Sequence, residues 1–219
     1  MKPPTLIIIA ACCLLFLCQP IYSQEDNNST PDLNAEVYGN PYLIRDWSDG
    51  VVKFTSGRVV KQFKLRFDCV HNRLLLQYQG STFAAESKIN EFVIYTGKKK
   101  DSMIFRRGYP GVDKASENTF YQVLIDGKLP LLRLVAKNIV EHKDIVSTTT
   151  VKGHLEEADK YYLLKDGVMI HLPEVKEDIL KALPDKAEAL SAFIDENKLR
   201  FKSHEDYIRL ATKYIELSQ

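Results

Sequence analysis

The stretch VVKFTSGRVVKQFKLRFD, residues 51–68, decides the fold class of this chain. Apolar and polar side chains alternate strictly over residues 63–68, and successive side chains of a β-strand point to opposite faces. The pattern predicts a strand with three core-facing and three solvent-facing side chains: Phe63, Leu65 and Phe67 in the first group, Lys64, Arg66 and Asp68 in the second. Ser56 and Gly57 lie between two β-branched runs and predict a hairpin turn just before this strand.

Short strands separated by turn residues continue on both sides of this stretch. Asp126-Gly127 and Asp166-Gly167 are strong hairpin signals, because both turn positions tolerate the backbone angles that tight hairpins need. Turn signals recur about every 8 to 12 residues, which predicts a β-rich domain over residues 35–172 whose antiparallel meander forms a curled sheet or a barrel. Pro130 within a return strand predicts a sheet edge or a bulge. Residues 139–159 carry only a weak pattern.

The period of the apolar residues changes from two to 3.6 after Pro173, which predicts two or three short helices over residues 173–219. The expected buried positions are Val175, Ile179, Leu180 and Leu183, then Ala187, Leu190, Phe193 and Ile194, then Tyr207, Ile208, Ala211, Tyr214 and Ile215. Helices this short are not stable alone, so we expect them to pack on each other or on the sheet. The predicted fold class is therefore α+β.

The first 23 residues have the composition of an export signal. Lys2 is followed by an uncharged apolar run over residues 5–18, a break at Pro20 and a small residue, Ser23, at the expected cleavage point. The run is shorter than the roughly 20 residues that span a bilayer, so no transmembrane anchor is expected after cleavage. A lipoprotein signal with Cys12 as the lipidated residue is the alternative, but apolar sequence continues past Cys12. Residues 24–34 are polar and predict a disordered leader.

Charge and cysteine content exclude several classes of protein. The chain has 30 basic and 29 acidic residues, and removal of the signal, which contains Lys2 and no acid, leaves 29 of each. Such a balance provides no general attraction for nucleic acid. Cys69 is the single cysteine outside the signal, so the mature chain cannot form an internal disulfide. Its apolar neighbours predict a small buried side chain rather than a catalytic thiol.

No motif in the sequence identifies a catalytic, cofactor or metal site. His154 and Glu157 would share one face of a helix, but a metal site needs three or four converging ligands, and the histidines are scattered. The chain contains no Gly-x-Ser-x-Gly elbow, glycine-rich phosphate loop or Cys-x-x-Cys pair. Trp47, the one tryptophan, could plug an open end of the sheet or mark a pocket mouth or a partner surface. We therefore assign no catalytic residues, no cofactor and no metal.

Several segments together are similar to those of a group of exported proteins common in Bacteroidetes-type bacteria. They are DGVVKFTSGRVVKQFKLRFDCVHNRLLLQ (49–77), FYQVLIDGKLPLL (120–132), YYLLKDG (161–167) and LPDKAEALSAFIDENKLRFKSHEDYIRLATKYIEL (183–217). The resemblance implies an envelope location and strands followed by helices, and it supplies no active-site residues.

These observations favour an exported protein, periplasmic or secreted, that acts as a non-catalytic binding or structural component of the cell envelope. Its partner would be an unknown protein or a small ligand. The alternative is an exported hydrolase with a dispersed active site that uses residues such as His71 or His154.

Overall fold

A computed structural model describes residues 36–85, 88–97, 101–143 and 151–218 of the chain. The predicted signal, residues 1–23, and the predicted leader, residues 24–34, lie outside these ranges. None of the helices in the described ranges is long and apolar enough to cross a membrane.

Strands make up the first part of the described chain. They are β1 (Glu36–Tyr38), β2 (Ser48–Phe54), β3 (Val59–Val60), β4 (Lys64–Asp68), β5 (Arg73–Tyr78), β6 (Ser81–Ala84), β7 (Ile89–Thr96), β8 (Asp101–Arg106), β9 (Tyr121–Ile125), β10 (Leu131–Leu134), β11 (Lys137–Lys143), β12 (Val151–Glu157), β13 (Lys160–Lys165) and β14 (Val168–Leu172). The helices follow as α1 (Lys176–Ala182), α2 (Ala187–Asn197) and α3 (His204–Glu216), with a 3₁₀ turn at Pro184–Lys186. The β-rich fold with short C-terminal helices is confirmed.

The strands form one large antiparallel sheet and one small sheet. The large sheet has the order β14-β13-β10-β9-β8-β7-β2-β4-β5-β6, with β3 also paired to β2. Among the described strands β14 and β6 each have a neighbour on one side, so closure into a barrel stays a prediction. The small sheet has the order β1-β12-β11, and β1 runs parallel to β12. The weakly patterned residues 139–159 therefore contribute to two strands.

Strand β4 follows the predicted alternation with one exception. Leu65 and Phe67 are buried and Lys64 is exposed, as the sequence predicts. Asp68 was predicted to face solvent, and this is wrong, because it is only 5% exposed. The chain turns directly after β4, and one Asp68 carboxylate oxygen accepts the backbone N–H groups of Val70 (3.0 Å) and His71 (3.1 Å). These hydrogen bonds compensate for the burial of the charge.

The predicted turns are present, and their backbone angles explain the residues found there. Asp166 (φ 50°) and Gly167 (φ 78°) form the left-handed pair that a tight hairpin between β13 and β14 requires. Pro130 precedes a register shift between Leu131 and Leu132, and β10 lies between β9 and β13. Of the two predicted roles for Pro130, the structure therefore shows the bulge.

The helices pack on one end of the large sheet. Leu131, Leu163 and Leu172 from the strands share a buried cluster with side chains from all three helices. The expected helix faces are largely confirmed, but Val175 is 51% exposed, because it lies at the N-cap of α1 outside the packed turn. Leu210, which the expected apolar face did not include, is fully buried on α3.

A second buried cluster fills the other half of the sheet. Four phenylalanine rings meet there, with centroid separations from 4.8 Å for Phe92 and Phe105 to 6.5 Å for Phe67 and Phe120. Aromatic burial of this extent is a major source of stability for the part of the chain that the structure describes.

Candidate functional site

A cleft of about 500 Å³ lies beside the turn that follows β4. Its walls come from that turn, from the loop between β8 and β9, and from residues at the ends of β10, β11 and β13. Apolar side chains supply part of the lining, including Val70, Val112 and Leu134. Polar groups supply the rest, including Asp113, Lys160, Tyr162 and Asn138. An apolar surface with a few polar groups is the usual composition of a small-ligand site.

Residues 108–119, which we call the flap, form one side of the cleft. The backbone groups of Val112 and Ala115 exchange two hydrogen bonds of 3.1 and 2.9 Å, so the tip of the flap is a miniature hairpin. Asp113 occupies this tip with φ 53°, a left-handed conformation that aspartate tolerates better than most residues. The sequence therefore places a carboxylate at the point of the flap nearest to β13.

The flap is attached to β13 through Asp113. One Asp113 carboxylate oxygen accepts hydrogen bonds from the Lys160 ammonium (3.2 Å) and from the Tyr162 hydroxyl (3.1 Å). The bond from Lys160, followed by the bond from Tyr162, holds the pKa of the Asp113 carboxyl below its ordinary value. Asp113 is therefore ionised at neutral pH and keeps both contacts.

The base of the flap is fixed by Asn72. Its side-chain amide donates to the carbonyl of Phe120 (2.9 Å), and its side-chain oxygen accepts the N–H of Phe120 (2.7 Å). This side chain thus satisfies both backbone groups of Phe120, as a neighbouring strand would. The cleft is bounded by a loop that is anchored at its base and at its tip.

Two side chains that line the cleft, Cys69 and Tyr162, are held in the protonated form near neutral pH. Burial raises the pKa of the Cys69 thiol to about 12, and the thiolate is the reactive form of cysteine. Burial also raises the pKa of Tyr162, and its hydrogen bond to Asp113 raises it further. Behind it, burial raises the pKa of Tyr121 to about 12, and the Tyr121 hydroxyl is buried with no hydrogen-bond partner in the described structure. These groups suit binding better than acid–base or nucleophilic chemistry near neutral pH.

The structure corrects the expected environment of His154. This residue lies on strand β12, where His154 and Glu157 point to opposite faces, so the helical pairing is wrong. The His154 ring instead contacts Glu156 at 2.6 Å. Within the described ranges, no group of three or more histidine, cysteine, aspartate or glutamate side chains converges as metal ligands.

His71 has a carboxylate partner that the sequence did not reveal. Its Nδ1 lies 2.8 Å from Asp68 Oδ2, and its side chain is 66% exposed. His71 and His154 do not line the cleft, and they lie on different elements. The structure therefore does not bring these two histidines together in one site.

The two remaining candidates have clear positions. Cys69 is 2% exposed, which confirms the predicted buried side chain, although it borders the cleft. Trp47 is half-buried, lies outside the buried core, and covers the guanidinium of Arg66 with 4.3 Å between Cζ and the ring centroid. Asp113, Lys160 and Tyr162 were missed, because nothing in the sequence relates a loop aspartate to a strand 49 residues later.

Comparison with protein-family models, with curated proteins and with solved structures gave no match. The function of the chain is therefore inferred from the geometry of the cleft.

Proposed function

We propose that this chain is an exported, non-catalytic binding protein whose cleft holds a small ligand with an apolar body and a polar end. The observation that carries the proposal is the cleft itself, about 500 Å³ in volume and lined by apolar side chains beside Asp113, Lys160 and Tyr162. A volume in this range accommodates a small organic molecule. The raised pKa values of Cys69 and Tyr162 support binding without turnover.

The location outside the cytoplasm rests on the sequence. The apolar run within residues 1–23 supports removal of an export signal, and the resemblance to exported Bacteroidetes-type proteins supports a place in the periplasm or outside the cell. The ligand would then be a molecule that this compartment contains.

A variant that fills the cleft tests the proposal. The side chain of Ala136 lines the cleft, so Ala136→Phe should occupy the space that a ligand needs. Ala192 is exposed on α2, away from the cleft, and Ala192→Phe is a control of equal size. All three proteins are purified from the native cell and measured by native mass spectrometry. We expect a bound small molecule in the wild-type protein and in Ala192→Phe, and none in Ala136→Phe. Equal retention of the molecule by Ala136→Phe would contradict the assignment to this cleft.

One observation favours the second candidate, an exported hydrolase. The buried Asp68 holds Nδ1 of His71, which is the arrangement by which a carboxylate orients a general base. Turnover of ester, amide or glycoside substrates that is lost in His71→Ala and kept in His204→Ala would establish this function. The binding proposal expects no turnover that depends on His71.

A further inference from the structure

Arg66 occupies an unusual position on the solvent face of strand β4. Its guanidinium carbon lies 3.9 Å from the centroid of the Tyr42 ring and 4.3 Å from the centroid of Trp47. Contacts of this kind between a cation and an aromatic face are attractive, and they replace part of the hydration of the charge. The two rings therefore fix the position of the guanidinium.

The backbone places both rings along the same edge of β4. Tyr42 forms an isolated bridge with Asp68, and Leu43 donates its N–H to the carbonyl of Phe67 at 2.9 Å. Trp47 directly precedes β2, whose first residue, Ser48, pairs with Leu65. Each ring is thus carried by a segment that is hydrogen-bonded to β4, so the arrangement does not depend on a loose loop.

The positive charge of Arg66 has no carboxylate partner among the described residues. Its Nε is buried and makes no hydrogen bond to any group in the part of the chain that the structure describes. Among the nitrogens of this half-buried side chain, Nε alone is fully buried without a partner in the described structure, so the two Nη groups are not fully buried. Lys64, on the same face, is already paired with Asp49 at 2.8 Å. The Asp68 carboxylate is taken by backbone groups and by His71.

These features define the kind of ligand that the position suits. The two Nη groups of a guanidinium form a planar fork that matches the two oxygens of a carboxylate. The neighbouring Lys64–Asp49 pair is neutral overall, so it adds no net charge beside the single positive charge of Arg66. A single charge matches a carboxylate monoanion better than a phosphate dianion, which normally requires several cationic groups.

We propose that Arg66, with Tyr42 and Trp47, forms a recognition site for the carboxylate group of a small acidic ligand. The site shares no residue with the cleft, so it goes beyond the proposed function and does not depend on it. A ligand at this position would displace water from the Nη groups and lie against the rim of the Trp47 ring.

The chain offers a built-in reporter for this site, because Trp47 is its single tryptophan. The experiment is a fluorescence titration of the chain with galacturonate and with butyrate, which represent an acidic sugar and a simple carboxylic acid, each with one carboxylate group. The neutral methyl ester of galacturonate and inorganic sulfate are the comparison probes. We expect saturable changes in the Trp47 emission with at least one carboxylate probe and weaker binding of the ester and of sulfate. The tighter of the two carboxylate probes identifies the source of the ligand.

Two substitutions separate recognition from a purely structural role of Arg66. Arg66→Gln should weaken binding at least roughly tenfold, because it removes hydrogen bonds from a charged group. Arg66→Lys keeps the charge, removes the planar fork, and should also weaken binding. If Arg66→Gln does not fold, Arg66→Lys is the variant that tests the proposal. Arg58→Gln is the matched control, since Arg58 also lies over an aromatic ring, that of Phe54 at 4.6 Å.

Four results would overturn the proposal. They are the absence of a saturable response to both carboxylate probes, equal affinity for the methyl ester, tighter binding of sulfate, and unchanged affinity in a folded Arg66 variant. A change in affinity of more than about twofold in Arg58→Gln would show that the response reflects general surface charge, and this would equally count against the site.

Discussion

Replacement of Gly50 by alanine tests the packing of the large sheet at its most crowded point. Gly50 lies in β2, opposite Ile94 of β7, and its α-carbon faces the core. An added Cβ would lie 2.2 Å from the carbonyl oxygen of Val93 and 2.4 Å from Cδ1 of Leu65. Both distances are far shorter than a van der Waals contact, so the neighbouring atoms must move.

The cost follows from what would have to move. Leu65 is 1% exposed and has little free space, and the Val93 oxygen belongs to the backbone of the strand next to β2. Overpacking of a core costs about 1–3 kcal/mol when side chains can adjust, and more when the backbone must shift. We therefore expect Gly50→Ala to lower the free energy of unfolding by at least about 3 kcal/mol.

The assay is urea-induced unfolding of residues 24–219, with Gly57→Ala as the control. Gly57 has a positive φ of 83° but no atom within 4 Å of an added Cβ, so alanine there meets strain and no clash. Left-handed strain alone costs roughly 1–2 kcal/mol. A smaller loss for Gly50→Ala than for Gly57→Ala would refute the reasoning, because backbone conformation would then outweigh packing.

The Cys69 thiol and the carboxylates of Asp185 and Asp113 can each be tested by a modification or a substitution. Burial raises the pKa of the Cys69 thiol to about 12, so little of the reactive thiolate is present at pH 8. We therefore expect iodoacetamide at pH 8 to modify the native chain at least about 100-fold more slowly than the urea-unfolded chain, as measured by mass spectrometry. Equal rates would show that the thiol is accessible. The hydrogen bond from Lys165 holds the pKa of Asp185 in the folded chain below its ordinary value. The ionised carboxyl therefore stabilises the fold fully at a pH above the pKa of Asp185 in the unfolded chain. This stabilisation is lost as the pH falls through the lower pKa of the folded chain. In Asp185→Asn, the difference in unfolding free energy from wild type should therefore shrink below about pH 4, and a constant difference would contradict the assignment. Asp113→Asn should weaken the contacts with Lys160 and Tyr162. We therefore expect faster hydrogen–deuterium exchange in the flap, while β13 stays protected. Unchanged exchange in the flap would show that Asp113 does not hold the flap in place.

The fold class could be predicted because alternation and turn chemistry are local properties. The alternation over residues 63–68 identified the strand β4 and its buried residues Leu65 and Phe67. The same alternation assigned Asp68 to the solvent face, which is wrong because its carboxylate accepts hydrogen bonds from the backbone of the turn that follows. A two-residue period does not predict such hydrogen bonds. The strands β11 and β12 gave only a weak pattern, since their small sheet leaves Ile139 36% exposed.

The cleft could not be predicted, because its polar groups meet only in the folded chain. Asp113 and Tyr162 are 49 residues apart and come from a loop and a strand with no shared motif. The position of Arg66 was predicted, since the alternation placed it on the solvent face. Its two aromatic neighbours come from the segment before β2, which has no periodic pattern, so the cluster needed the structure.

The most direct test of the account is native mass spectrometry of the protein recovered from fractions of its own cell. We expect a chain that begins near Gln24, found outside the cytoplasm, with a bound small molecule that is released on unfolding. An uncut chain that begins at Met1 in the cytoplasmic fraction would contradict export, and a processed chain without a bound molecule would contradict occupancy of the cleft.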